Sequence, residues 1–120
     1  MVMKNEKLNI AEKRCAVYTR IAAVEDRDPA SPAINAQREG VENYIRAQGG
    51  VVLPEIYDDS GISGLKADRP ALTRLKRDIE NGLIDVVIAR DVARLSRSME
   101  DFAKMMDFFE KHQVSFVDAA

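Results

Sequence analysis

What this sequence lacks narrows it first. It has one cysteine, Cys15, so no disulfide can form within the chain. A lone cysteine suits a reducing compartment, and its place at the start of an apolar strand predicts a buried thiol rather than a nucleophile. His112 is the only histidine, and with Cys15 as its only companion no zinc site is expected. His112 falls near a helix C-terminus, where a capping or surface role is expected. No apolar run approaches the roughly 20 residues of a membrane span. Residues 1–14 are charged and lack the apolar centre of a signal peptide. The expectation is a cytoplasmic protein with no membrane contact. Basic residues are not in excess: the net charge is −2, which excludes a wholly basic nucleic-acid binder and leaves room only for a local basic site.

What is present is one globular domain. A chain of 120 residues buries about two-thirds of its unfolded surface. Its shares of hydrophobic residues, 46%, and charged residues, 32%, are those of a folded soluble chain. Residues 15–21 read as a first strand, after a polar segment at 1–13 that is frayed at its start. The polar and Pro-containing stretch 22–32 reads as a loop. Ser31 and Pro32 start a first helix as N-cap and first helical residue, and Gly49-Gly50 ends it. Ile34, Val41, Tyr44 and Ile45 form its apolar face, while Gly40 inside it costs roughly 1 kcal/mol against Ala.

The second strand is expected at 51–57, followed by a long polar loop at 58–68. A second helix begins at Pro70 with Asp68 beside it as a cap, buries Leu72, Leu75 and Ile79, and ends at Asn81-Gly82. A third strand covers 84–90. Ser98 and Asp101 resemble a capping box for a third helix. Phe102, Met105, Met106 and Phe109 recur at the spacing of a core face. A fourth strand is expected at 114–117. Strands that alternate with helices in this way predict an α/β fold, a mostly parallel sheet with helices on both faces.

The rest of the chain is organised around 84–98, which opens as a buried strand and ends in Arg90, Arg94 and Arg97. Arg94 and Arg97 are three apart, so a single helical turn would set them on one side. Planar guanidiniums match phosphate oxygens, so this segment reads either as a phosphate clamp or as a solvated basic loop. Parallel sheets bind ligands outside the carboxyl ends of their strands. Arg20 ends the first strand, Ser63 and Arg69 lie beyond the second, and Arg94 and Arg97 lie beyond the third. Four arginines and a serine are therefore expected on one edge, which favours the clamp.

Four segments carry a resemblance: Tyr18-Thr19-Arg20-Ile21, residues 34–37, Ser63-Gly64 through Arg69-Pro70, and Arg94-Leu95-Ser96-Arg97. In order and spacing they resemble the catalytic domain of the serine site-specific recombinases, the resolvase/invertase family, and its large-recombinase branch in particular. The resemblance implies a resolvase-like fold over 15–120 and DNA strand exchange through a phosphoserine link. It implies double-stranded DNA as partner, a homodimer or tetramer for the full-length protein, and no cofactor or metal. By position, Arg20, Arg69, Arg94 and Arg97 match the family's active-site arginines, and Gln37 and Ser63 match its supporting polar residues.

The departures are equally specific. Where the family carries its nucleophilic serine, two residues after Arg20, this chain has Ala22. A methyl group cannot attack phosphorus. Thr19 should point away from Arg20 on a strand. Ala93 stands where many members carry aspartate. The expectation is a C-terminally truncated domain lacking the long dimerisation helix, able to cradle a phosphodiester and unable to cut it. The alternative is a degenerate relative serving as a DNA-associated or dimer-forming module without catalysis. A phosphoacceptor signalling domain of flavodoxin-like shape is disfavoured, because it needs acidic residues where Arg20 stands.

Overall fold

In the computed structural model, residues 2–4, 9–21, 32–60, 69–95 and 98–119 are described. They form six strands: β1 (Val2–Lys4), β2 (Arg14–Ile21), β3 (Val51–Val52), β4 (Tyr57–Ser60), β5 (Val86–Ala89) and β6 (Ser115–Asp118). The helices are α1 (Pro32–Ala47), α2 (Pro70–Glu80), α3 (Val92–Leu95) and α4 (Met99–Lys111). The sheet runs β1-β6-β5-β2-β3, with β4 also on β2, and every pair is parallel.

Side-chain alternation along the strands sorts the core into two layers. Cys15 and Val17 of β2, Val86 and Ile88 of β5, and Val117 of β6 pack with Val41 and Ile45 of α1. Ala16, Tyr18, Val87, Ala89 and Phe116 face the other way, onto Leu72, Leu75 and Ile79 of α2 and Met105 and Phe109 of α4. The sheet thus carries helices on both faces. Phe102 and Met106 are half-buried against the second layer. Among the described residues no helix is long and apolar enough to cross a membrane.

Helix ends follow local chemistry. The Ser98 hydroxyl accepts from the Asp101 N–H at 3.3 Å, the cap expected for α4. At the end of α1 the Gly49 N–H reaches the Arg46 carbonyl and the Gly50 N–H reaches the Ile45 carbonyl, which is a Schellman closure. Gly49 sits at φ +80°, and a Cβ on Gly50 would lie 2.8 Å from Ile45 Cγ2. Neither position admits another residue without strain.

Several expectations need correction. The stretch 51–57 is not one strand: β3 stops at Val52, Pro54 interrupts, and β4 begins at Tyr57. Proline has no N–H to give a ladder, so the break falls there. Asp58, Asp59 and Ser60 belong to β4 rather than to a loop. The start of the N-terminal segment is not frayed, since Val2–Lys4 adds a parallel strand beside β6. The third strand is shorter than 84–90, at Val86–Ala89, and the fourth lies at Ser115–Asp118. Asp68 and Ser31, proposed as caps, and the remainder of the 58–68 loop lie outside the described residues.

Candidate phosphate-binding site

The site is built where β2, β4 and β5 end. Arg20 is the seventh of eight residues in β2. Its side chain leaves on the same face as Ala16 and Tyr18, and the residue is wholly buried. Directly beyond β5 the chain makes the one-turn helix α3, which ends in Arg94 and Leu95. Arg20 Nε donates to the Arg94 carbonyl at 3.2 Å, and Arg94 Nη1 donates to the Arg20 carbonyl at 3.1 Å. Arg69 arrives from the N-terminus of α2. Its Nη2 donates to the Leu95 carbonyl at 2.7 Å and its Nη1 to the Arg94 carbonyl at 3.5 Å. Three guanidiniums from three separate elements therefore converge on the last turn of α3.

Arg94 and Arg69 differ in their partners. Arg94 Nε lies 3.7 Å from Asp91 Oδ1. Arg69 is 3% exposed, has only carbonyl acceptors among the described residues, and its Nε has no hydrogen-bond partner there. Buried cations held by neutral carbonyls keep their positive potential, and such a cluster attracts an anion.

Behind the arginines lies a support that the sequence did not reveal. Asp59, 3% exposed, accepts from the Tyr18 hydroxyl at 2.7 Å, from the Ala71 N–H at 2.9 Å and from the Leu72 N–H at 3.2 Å. It is the cap of α2, supplied by a neighbouring strand. Arg69, at the N-cap position, is extended and offers no side-chain cap of its own. The Arg69 guanidinium stands 5.8 Å from the centre of the Tyr18 ring. Burial pushes the Tyr18 phenol above its ordinary range, with the Asp59 charge adding to the shift and Arg69 and Arg20 opposing it. Tyr18 is thus a neutral donor that fixes Asp59, and Asp59 fixes the helix end that presents Arg69. The only sequence signal was the Asp58-Asp59 pair closing an apolar stretch, which reads equally well as a turn.

Gln37 is 7% exposed, and its Oε1 accepts from the Arg20 backbone N–H at 3.2 Å, so it holds β2 rather than an arginine side chain. Thr19 lies on the opposite face, as expected, and donates to Asp58 Oδ1 at 2.6 Å. Arg38 pairs with the other oxygen of Asp58 and donates to Asn35 at 2.6 Å, tying α1 to β4. The structure thus brings together Arg20, Gln37, Arg69 and Arg94. Ala22, Ser63 and Arg97 lie outside the described residues. No group of three or more His, Cys, Asp or Glu able to hold a metal occurs among the described residues.

Comparison with known proteins agrees with this geometry. The family model described as "Resolvase, N terminal domain" matches residues 15–120. The chain is 33% identical over 102 residues to a putative DNA recombinase of Bacillus subtilis (strain 168), covering 85% of this chain and 19% of that protein. It therefore spans about a fifth of that relative's length. The crystal structure of the N-terminal catalytic domain of TP901-1 integrase superposes with a TM-score of 0.77 at 35% identity, over 89% of this chain and 77% of that one. The catalytic domain of ISC1926 TnpA, an IS607-like serine recombinase, gives a TM-score of 0.77 at 25% identity, over 89% and 67%. A match to the family model over nearly the whole chain, with catalytic-domain structures on the same fold, shows that this chain belongs to the resolvase N-terminal domain family and is a serine recombinase catalytic domain.

Proposed function

We propose that this chain is the phosphodiester-binding catalytic domain of a site-specific DNA recombinase of the large serine branch, and that with alanine at position 22 it does not cleave DNA. Ala22, two residues beyond Arg20, is the observation that carries the reading. In this reading Arg20, Arg69, Arg94 and Arg97 neutralise the phosphate, while Gln37 and Ser63 support them. Phosphoryl transfer rests on positioning and charge neutralisation, which arginines supply without the nucleophile. What Ala22 removes is the atom that bonds to phosphorus. Duplex DNA is the partner, and a homodimer or tetramer is the working form of the full-length protein. The likeness to TP901-1 integrase supports the large-recombinase branch.

The test compares full-length proteins carrying Ala22 or Ala22→Ser on a supercoiled plasmid with cognate sites. Covalent protein–DNA adducts are expected only from the serine form. Equal adduct yields would show that another residue is the nucleophile. Loss of a nucleophile costs about 10⁶ in turnover in a well-studied hydrolase, so the contrast should be close to all-or-none. Absence of adducts from both forms would favour the second reading, a recombinase-like DNA-associated or dimerisation module without catalysis, which rests on the same alanine.

A further inference from the structure

A cleft of about 300 Å³ opens between α2 and α4, on the face of the sheet that carries Arg20. Arg69, Lys76 of α2 and Lys104 of α4 line it, and the buried Leu72 and Met105 belong to its apolar floor. Among the described residues Asp101 is its only acidic lining residue, so that described lining carries a net charge of +2 in a chain whose net charge is −2. Such a concentration of cations is not what the overall composition would place in one cleft.

Two further observations point to a ligand. Arg69 is 3% exposed, and its buried Nε has no hydrogen-bond partner among the described residues. An unanswered buried donor is destabilising, and an acceptor entering the cleft would remove that cost. Lys76 and Lys104 sit one on each wall. Lys104 meets Glu100 at 3.5 Å, with both side chains more than 70% exposed, a pairing too weak and too screened to withhold the ammonium from another anion.

We infer that the α2–α4 cleft binds a second backbone phosphate of duplex DNA, beside the one taken by the arginine cluster, with Lys76 and Lys104 as its ligands and Arg69 shared between the two. This rests on the DNA-binding reading above and extends it along the helices. A phosphate accepts from Lys as a point charge and from Arg as a fork, so both donor types suit it. The apolar floor accommodates the sugar that follows a backbone phosphate and offers nothing to a free, fully hydrated ion. Lys76 and Lys104 are nowhere part of the arginine cluster, so their effect is separable from it.

The test is duplex-DNA titration at several salt concentrations with the 120-residue chain and three single variants, Lys76→Ala, Lys104→Ala and Lys13→Ala. Lys13 precedes β2, at the opposite edge of the sheet, and controls for loss of one charge. Each phosphate contact contributes about −0.9 to the slope of log K against log salt. Lys76→Ala and Lys104→Ala should each flatten the slope by about 0.9, and Lys13→Ala should change it much less. Equal slopes for the parent chain and both cleft variants would overturn the cleft while leaving the arginine reading intact. Equal flattening by all three variants would overturn it too, by showing a diffuse charge effect. A parent affinity independent of salt would overturn both readings. Inorganic phosphate is the second probe. Competition by free phosphate that Lys76→Ala abolishes would show a site for the free ion and overturn the assignment to DNA. Failure of millimolar phosphate to compete is the expected result.

Discussion

Arg20 and Arg94 each donate to the other's backbone carbonyl, at 3.2 Å and 3.1 Å. The pair locks the end of β2 to α3. Replacing Arg94 with alanine leaves the carbonyl of wholly buried Arg20 without this donor. Arg94→Ala should therefore destabilise the fold by about 1–3 kcal/mol, read from the midpoint of urea unfolding. The same variant should flatten the salt dependence of DNA binding by about 0.9.

Asp59 serves three buried donors from two elements. Asp59→Ala strands all of them and uncaps α2, at a cost of about 2–4 kcal/mol. Denaturant unfolding checks the stability. Duplex-DNA affinity checks the consequence for Arg69, and it should fall even below the denaturation midpoint. Asp59→Asn, which keeps one acceptor, should lose less.

Gly40 lies exposed inside α1, and a Cβ there would meet nothing within 4 Å. Gly40→Ala should stabilise the chain by up to about 1 kcal/mol, seen as a rise in Tm without a change in DNA affinity.

Gln113 closes α4 in the left-handed region, at φ 59°, with its N–H on the Glu110 carbonyl and the Val114 N–H on the Phe109 carbonyl. Gly82 makes the same closure after α2 at φ +73° without a side-chain penalty. Gln113→Gly should therefore gain about 0.5–1 kcal/mol in thermal or urea unfolding. A loss would show that the glutamine side chain contributes more than the backbone strain costs.

Arg14 grips Asp85 through Nε and Nη2, both at 3.0 Å, and through its backbone N–H at 2.8 Å. These bonds hold the Asp85 carboxyl down at about 2, against 3.8 for the free group. A depressed carboxyl contributes stability above its unfolded value, and that contribution is lost as pH falls from 3.8 toward 2. Asp85→Asn should remove this part of the acid limb of a stability–pH curve. The effect should be small and should shrink in high salt, because both side chains are more than a third exposed.

Much of the architecture was legible in the chain because it is written in short periods. The i, i+3, i+4 recurrence of Phe102, Met105, Met106 and Phe109 marks the inner face of α4, where Met105 and Phe109 are indeed buried. Alternation in 15–18 divides β2 between two core layers. Ser98 caps α4 through a bond only three residues long. The end-of-strand rule for parallel sheets sufficed to bring Arg20, Arg69 and Arg94 to one edge.

The sequence by itself determined the order of strands and helices, their buried faces, the arginines at one sheet edge and the alanine at position 22, since each depends on neighbours within a turn or a pleat. Tertiary structure alone decided what holds those arginines. Arg69 reaches carbonyls 25 and 26 residues away, Arg20 and Arg94 meet across 74, and Asp59 caps a helix from another strand. It also decided that Val2–Lys4 joins the sheet beside β6 and that Pro54 splits the second strand. Backbone carbonyls and open sheet edges are the same in every sequence, so which ones lie within reach is fixed only when the chain is packed.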